Sequence, residues 1–134
     1  PNLREDPEFH VAPILGTYYV SLNLEREYFQ DPKVRQALSL ALDRQYIADT
    51  IMQGTYTPAV NFVGPGVSDA EAGSSFQETT IAEYGEFFHV DDFESDLAKA
   101  KELLADAGYP NGEGFPMIEY MTNDAGYNKA LAEY

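Results

Sequence analysis

The chain has 134 residues, of which 44% are hydrophobic and 13% aromatic, so it can form one globular domain and is too apolar for wholesale disorder. It has 23 acidic and 8 basic residues, a net charge of -15, and no basic stripe, which argues against binding to nucleic acid or to an anionic membrane surface. The absence of cysteine excludes disulfides, thiolate metal sites and a cysteine nucleophile, and no run of apolar residues is long enough to span a bilayer.

The first 16 residues include three prolines and no hydrophobic period, which predicts an extended connecting segment before a domain at residues 17–134. The chain starts at Pro1, without an initiator methionine or a signal peptide. Its last segment, NDAGYNKALAEY, has the pattern of a helix and stops at Tyr134 without a cap. These features predict that the sequence is a fragment of a longer protein.

The stretch LGTYYVSLN begins an apolar-polar alternation that predicts a strand over Tyr18–Leu24. Neighbouring side chains of a strand point to opposite faces, so its two adjacent tyrosines cannot both enter one core. We expect Tyr18 to pack in the core. The opposite, polar face then carries Tyr19, Ser21 and Asn23.

Two helices are predicted next, each from a capping aspartate followed by an apolar stripe. Asp31 precedes a proline suited to the first helical position, and this helix is expected to end near Leu42. Asp43 is the next candidate cap and predicts a helix over Arg44–Gln53, with Gly54 as its left-handed end.

Residues 67–91 are acidic, rich in Ser and Gly and only faintly periodic, which predicts a long acidic loop. A third helix is expected to begin at Asp92 or Ser95 and to end at Gly108. The remaining elements are predicted to be a turn at NGEG, a short strand at PMIEYMTN and the start of the last helix.

The patterns for catalysis or metal binding are weak. The sequence has no nucleotide-binding glycine motif, no zinc-protease motif and no serine with an obvious histidine partner. His89 reads as a surface histidine near carboxylates, and Glu25 and Glu27 as exposed strand-end carboxylates rather than an acid–base pair. Asp91–Asp96 offers oxygen ligands for calcium but lacks the glycine and terminal glutamate of an EF-hand, so stabilisation of a helix N-terminus is preferred.

Three motifs, taken in order, resemble a known family. They are LGTYYVSLN leading into DPKVRQALSLALDR, then AKELLADAGYPNGEGFP, and then the short strand that ends in Asn with a helix after it. Together they resemble the oligopeptide- or dipeptide-type solute-binding proteins of bacterial ABC importers, extracellular solute-binding protein family 5. The resemblance covers residues 10–134 apart from the acidic loop.

The resemblance implies an α/β fold of the two-lobed, type II periplasmic-binding-protein class, of which this chain is an incomplete second lobe. A peptide or related small solute is trapped between the lobes and delivered to a membrane permease, outside the cytoplasm and without covalent chemistry, cofactor or metal. The resemblance further implies that Tyr19 contacts the ligand, with Ser21 and Asn23 on the same face. Ser21 stands where peptide binders often have an acidic residue, and most pocket residues are expected beyond Tyr134.

The sequence leaves open which solute is carried, since peptides of different length, sugars and nickel complexes are all compatible with the family. It also leaves open a second class of function, in which the acidic loop from Asp69 to Asp92 docks a basic protein partner. We further expect the isolated chain to self-associate, because an incomplete lobe would leave a sheet edge and an apolar face uncovered.

Overall fold

The computed structural model describes residues 5–12, 14–124 and 126–134, so parts of the predicted connecting segment and of the last helix lie outside the described residues. The chain divides into two compact units. The first comprises Pro1–Tyr18 and Asn61–Glu86, and the second comprises Tyr19–Val60 and Phe87–Tyr134. The predicted domain boundary between residues 16 and 17 stays a prediction.

The described residues form six α-helices, one π-helix and one 3-10 turn. In chain order these are α1 (Glu27–Gln30), α2 (Pro32–Leu40), α3 (Arg44–Tyr46), the π-helix (Ile47–Ile51), α4 (Phe76–Tyr84), α5 (Phe93–Asp106), the 3-10 turn (Pro110–Gly112) and α6 (Gly126–Glu133). The β-structure within the described ranges is an isolated antiparallel bridge between Ser68 and Ser75.

The starts of α2, α3 and α5 follow from capping carboxylates, as predicted. The side chain of each capping aspartate accepts a hydrogen bond from a backbone N–H of the first turn that would otherwise have no helical partner. These bonds join Asp31 to Lys33 (2.8 Å), Asp43 to Tyr46 (2.8 Å) and Asp92 to Ser95 (3.2 Å).

The end of α5 confirms the predicted role of Gly108, whose φ of 95° lies in the left-handed region. Its N–H donates to the carbonyl of Ala105 (2.9 Å), and the N–H of Tyr109 donates to the carbonyl of Leu104 (3.0 Å). This pair of bonds is a Schellman motif, which satisfies the last carbonyls of the helix and turns the chain away.

The hydrophobic core lies in the second unit, where α2 packs against α5. An ion pair between Lys33 Nζ and Asp106 Oδ2 (3.0 Å) crosses the same contact on the surface. The buried hydrophobic side chains of the described part of the chain are Phe29, Val34, Ala37, Ala48, Met52 and Ala100.

The segment GYPNGEGFP closes this core with aromatic contacts. The rings of Tyr109 and Phe115 meet edge to face at 5.0 Å between centroids, and Phe115 in turn contacts Tyr28 at 6.2 Å. Tyr28 packs edge to face on buried Phe29 at 4.5 Å. Edge-to-face pairs add a specific geometry to apolar burial, so this motif joins the end of α5 to α1.

The two predicted strands are not confirmed, since neither segment is assigned to a strand in the described residues. The expected burial of Tyr18 is wrong: its side chain is 49% exposed, and Val20 and Leu24 of the same predicted face are 50% and 54% exposed. In the second segment, Met117 is 96% exposed. An alternating pattern needs a neighbouring strand for its backbone groups and a layer to cover its apolar face, and the described residues supply neither.

The prediction of a loop throughout residues 67–91 is wrong for the stretch that forms α4. Ser75 Oγ accepts a hydrogen bond from the N–H of Glu78 (3.4 Å), in a capping-box sequence of Ser followed three residues later by Glu. Gln77 Nε2 on this helix donates to the carbonyl of Val63 (3.0 Å), which ties α4 to the preceding stretch of the same unit.

Candidate functional site

The three predicted ligand-binding residues are exposed at the start of the second unit. Tyr19 is 61% exposed, and Ser21 and Asn23 are also exposed. The structure does not place them on a strand of a sheet, so their common face stays a prediction.

Asn23 has a local structural role in addition to its exposure. Its Oδ1 accepts a hydrogen bond from the N–H of Glu25 (3.0 Å), and its carbonyl accepts one from the N–H of Arg26 (3.1 Å). This Asx turn directs the chain into α1. The amide oxygen of Asn23 is therefore engaged in a local turn, and Tyr19 and Ser21 are exposed at the surface.

A second polar feature lies where the π-helix ends. The N–H of Met52 donates to the carbonyl of Ile47 (2.8 Å), five residues earlier, which widens the helix by one residue. Gln53 and Gly54 then take left-handed conformations, with φ of 52° and 69°. The predicted helix over Arg44–Gln53 is therefore confirmed for Arg44–Ile51, changes from α to π after Tyr46, and ends two residues earlier than predicted. π-Helical turns occur often at functional sites, so this segment is a candidate feature.

Helix α6 packs against this π-helix and contributes polar and aromatic side chains. Asn128 is buried, with 1% exposure, and its amide donates to Asn123 Oδ1. Tyr127, the preceding residue, faces Tyr56 at 6.5 Å between ring centroids. Loss of solvent around Tyr56, and then the hydroxyl of Tyr127, raise the pKa of Tyr56.

Sequence reasoning missed Asn128. The sequence contains a signal for it: Asn128 lies three residues before Leu131, on the inner stripe of α6, where an apolar residue is expected. A buried side-chain amide must find a partner, and Asn123, the residue that ends the predicted strand motif, supplies it.

The end of α6 is fixed to the cap of α3. The rings of Tyr46 and Tyr134 stack at 5.3 Å between centroids, with 22° between their planes. The backbone N–H of Asp43 donates to the hydroxyl of Tyr134 (3.3 Å). Tyr134, which directly follows α6, thus joins the end of that helix to the start of α3.

A recess of about 10 Å³ lies between the start of α3 and the start of α5, lined in part by Arg44, Phe88, His89 and Asp96. Such a volume holds about one water molecule, so this recess cannot be a peptide or solute site. The guanidinium of Arg44 stacks on the Phe88 ring, with 3.4 Å between Cζ and the ring centroid. Burial lowers the pKa of Arg44, and the charge of Asp96 acts in the opposite direction.

Arg44 and Asp96 are held by the backbone as well as by each other's charge. Arg44 Nη1 donates to the carbonyls of Ser39 (2.9 Å) and Leu42 (3.2 Å), at the end of α2. Asp96 is 5% exposed and accepts from the N–H of His89 at Oδ2 (2.8 Å), while Nδ1 of the His89 ring lies 2.7 Å from Oδ1. His89 therefore lies beside a carboxylate, as predicted.

Two of the carboxylates in Asp91–Asp96, those of Asp92 and Asp96, accept hydrogen bonds from protein N–H groups. In the ranges that the structure describes, no three His, Asp or Glu side chains are grouped to hold a metal ion. Among the helices of the same ranges, none has the length and apolar character needed to cross a membrane.

Comparison with known proteins shows which family the chain is similar to. The model of the bacterial extracellular solute-binding proteins, family 5 Middle, matches residues 1–134. Heme-binding protein A of Haemophilus influenzae is 38% identical over 113 residues, which are 83% of this chain and 18% of that protein. The glutathione-binding protein GsiB of Salmonella choleraesuis is 34% identical over 105 residues, which are 78% of this chain and 17% of that protein.

The protein of the same name from Escherichia coli K12 is 31% identical over 105 residues, again 78% of this chain and 17% of that protein. No solved structure is similar enough to the chain to count as a match. The chain therefore spans less than a fifth of the length of these relatives. The matched family consists of non-enzymatic transport components. The family model matches along the whole sequence, so the chain belongs to the bacterial extracellular solute-binding proteins of family 5.

Proposed function

We propose that this chain is part of the substrate-binding component of an ABC importer, which captures a peptide or a related small solute and delivers it to a membrane permease. The observation that carries the proposal is the family match over residues 1–134. Family membership implies a two-lobed periplasmic-binding-protein-like fold, and we assign the chain to an incomplete second lobe. The share of the relatives that it spans supports its being a fragment of a longer protein.

The proposed ligand class is peptide-like. One relative is named for binding glutathione, which is itself a short peptide, and another for binding heme. We place the ligand between this lobe and a partner lobe outside the chain. The recess beside Arg44 is not this site, because it has no room for a solute.

Tyr19 is the residue of this chain that we propose to touch the ligand, with Ser21 and Asn23 beside it. A tyrosine combines a flat apolar surface with a hydroxyl tip, which suits contact with a ligand of mixed polarity. The exposure of Tyr19 supports the assignment, since a contact residue must be reachable before the lobes close. Ser21 adds a hydroxyl that can donate or accept, without fixing the charge of the ligand.

Calorimetric titration of the full-length protein with glutathione, heme and a set of short peptides tests this function. We expect one of these solutes to bind at one molecule per chain. Tyr19→Ala should weaken its binding about tenfold, the loss expected for one aromatic contact. Tyr84→Ala is the matched control, because Tyr84 is 69% exposed on α4 and has no proposed ligand role. Unchanged affinity in Tyr19→Ala would remove Tyr19 from the site without affecting the family assignment.

Two further expectations accompany this function. The family is extracellular, which supports a location outside the cytoplasm, in the periplasm or anchored at the cell surface; fractionation of cells tests it. Self-association of the isolated chain is supported by the exposed apolar side chains of Tyr18, Val20 and Met117. Light scattering at high concentration tests it, and a strictly monomeric chain would contradict it.

A further inference from the structure

The starting observation is a carboxylate that is removed from water near the start of α5. Asp96 is 5% exposed, and a buried carboxylate is tolerated only where hydrogen bonds and positive charge replace its water. The backbone N–H and the ring of His89 supply the hydrogen bonds, at 2.8 Å and 2.7 Å. Arg44, whose charge interacts with that of Asp96, lines the same recess.

The recess beside the His89 ring is lined by side chains of both charges. The recess is lined by Arg44, Asp43 and Asp96, so with a neutral histidine it carries one positive and two negative charges. Protonation of His89 balances them. Asp91 and Asp92, which follow His89 closely in the chain, are also acidic. The side chain of His89 is 57% exposed, so protons reach it from solvent.

This pair lies where the chain enters the second unit again. Residues 61–86 belong to the first unit and form an insertion in the sequence of the second unit, which continues at Phe87. The N–H of Phe87 donates to the carbonyl of Val60 (3.2 Å), so a hydrogen bond joins the two residues that flank this insertion. His89 follows two residues later, and its carbonyl accepts from the N–H of Asp92 (2.9 Å). Segment 87–92 is therefore held against the rest of the second unit by the bond from Phe87 to Val60 and by the contacts of His89 with Asp96.

We propose that His89 and Asp96 form a proton-dependent latch in the second unit, directly after the 61–86 insertion. When the ring is neutral, Nδ1 donates an ordinary hydrogen bond to the carboxylate. When the ring is protonated, the same contact becomes an ion pair, which an unfolded or opened segment does not make. The latch therefore tightens when the ring takes up a proton at acidic pH and loosens when the ring loses that proton at higher pH.

Hydrogen exchange of segment 87–92 in the full-length protein, followed by mass spectrometry, tests the latch. Exchange rates at pH 5.5 and pH 7.5 are divided by the intrinsic chemical rates. We expect about threefold stronger protection at pH 5.5, the size typical of a partly exposed charge pair. His89→Asn should abolish this difference, because its amide can replace Nδ1 as a donor but cannot be protonated.

Two controls complete the experiment. His10→Asn removes the other histidine, which is exposed in the first unit, and should leave the pH difference intact. Asp96→Asn should also abolish the difference; if that variant fails to fold, His89→Asn alone decides. The proposal is overturned if the native protein shows the same protection at both pH values, or if His89→Asn retains the threefold difference.

Discussion

Replacement of Val34 by alanine gives the sharpest test of the core described here. Val34 is fully buried, with 0% exposure, on the face of α2 that packs against α5. The change removes two methyl groups, worth about 0.8 kcal/mol each in transfer from water. The cavity left behind, on the order of 35 Å³, adds about 0.8 kcal/mol at 24 cal/mol per Å³. The expected loss is about 2.5 kcal/mol.

Hydrogen exchange of the α2 and α5 amides in the full-length protein measures this loss, because core amides exchange through opening of the unit that contains them. A loss of about 2.5 kcal/mol corresponds to exchange roughly 50-fold to 100-fold faster. Val11→Ala is the matched control, since Val11 is 83% exposed, and it should change these rates by less than about twofold. An increase below about threefold in Val34→Ala would refute the placement of Val34 in the core.

Three further changes have local consequences. Ser75→Ala removes the cap of α4 and should cost that helix about 1 kcal/mol, seen as about fivefold faster exchange of its amides; unchanged rates would contradict the cap. Gly108→Ala meets open space but keeps a φ of 95°, so backbone strain alone should cost about 1 kcal/mol in denaturant unfolding, and a neutral result would contradict the Schellman ending. The hydrogen bond from the Ala70 N–H (2.7 Å) lowers the pKa of Asp69, so its stabilising effect is present at neutral pH and is lost as the pH falls through that lowered value. Carbon-13 titration by NMR checks this, and a midpoint at or above the ordinary aspartate value would contradict it.

The helix boundaries could be predicted because they depend on contacts within one turn. Asp31, Asp43 and Asp92 each bond to an N–H two or three residues away, so the sequence alone contains the whole interaction. The start of α4 depends on an equally local bond, from the N–H of Glu78 to Ser75 Oγ, but the acidic, Ser- and Gly-rich composition around it is typical of a loop.

The strand predicted at Tyr18–Leu24 is not confirmed, because a strand forms only through its neighbours. Alternation identifies which residues would share a face, but not whether a paired strand and a covering layer are present. The candidate site could likewise not be predicted fully from the sequence, because it depends on contacts between distant residues. The alternation placed Tyr19 opposite a buried Tyr18, but both side chains are exposed, and the burial of Asn128 depends on a partner that the fold brings near.

The central claim, capture of a solute by a family 5 binding protein, is tested most directly by native mass spectrometry of the full-length protein purified without added ligand. We predict a mass above that of the polypeptide by one solute molecule, lost on denaturation and regained when glutathione, heme or a short peptide is added. A protein that carries no solute and acquires none from this panel would contradict the account.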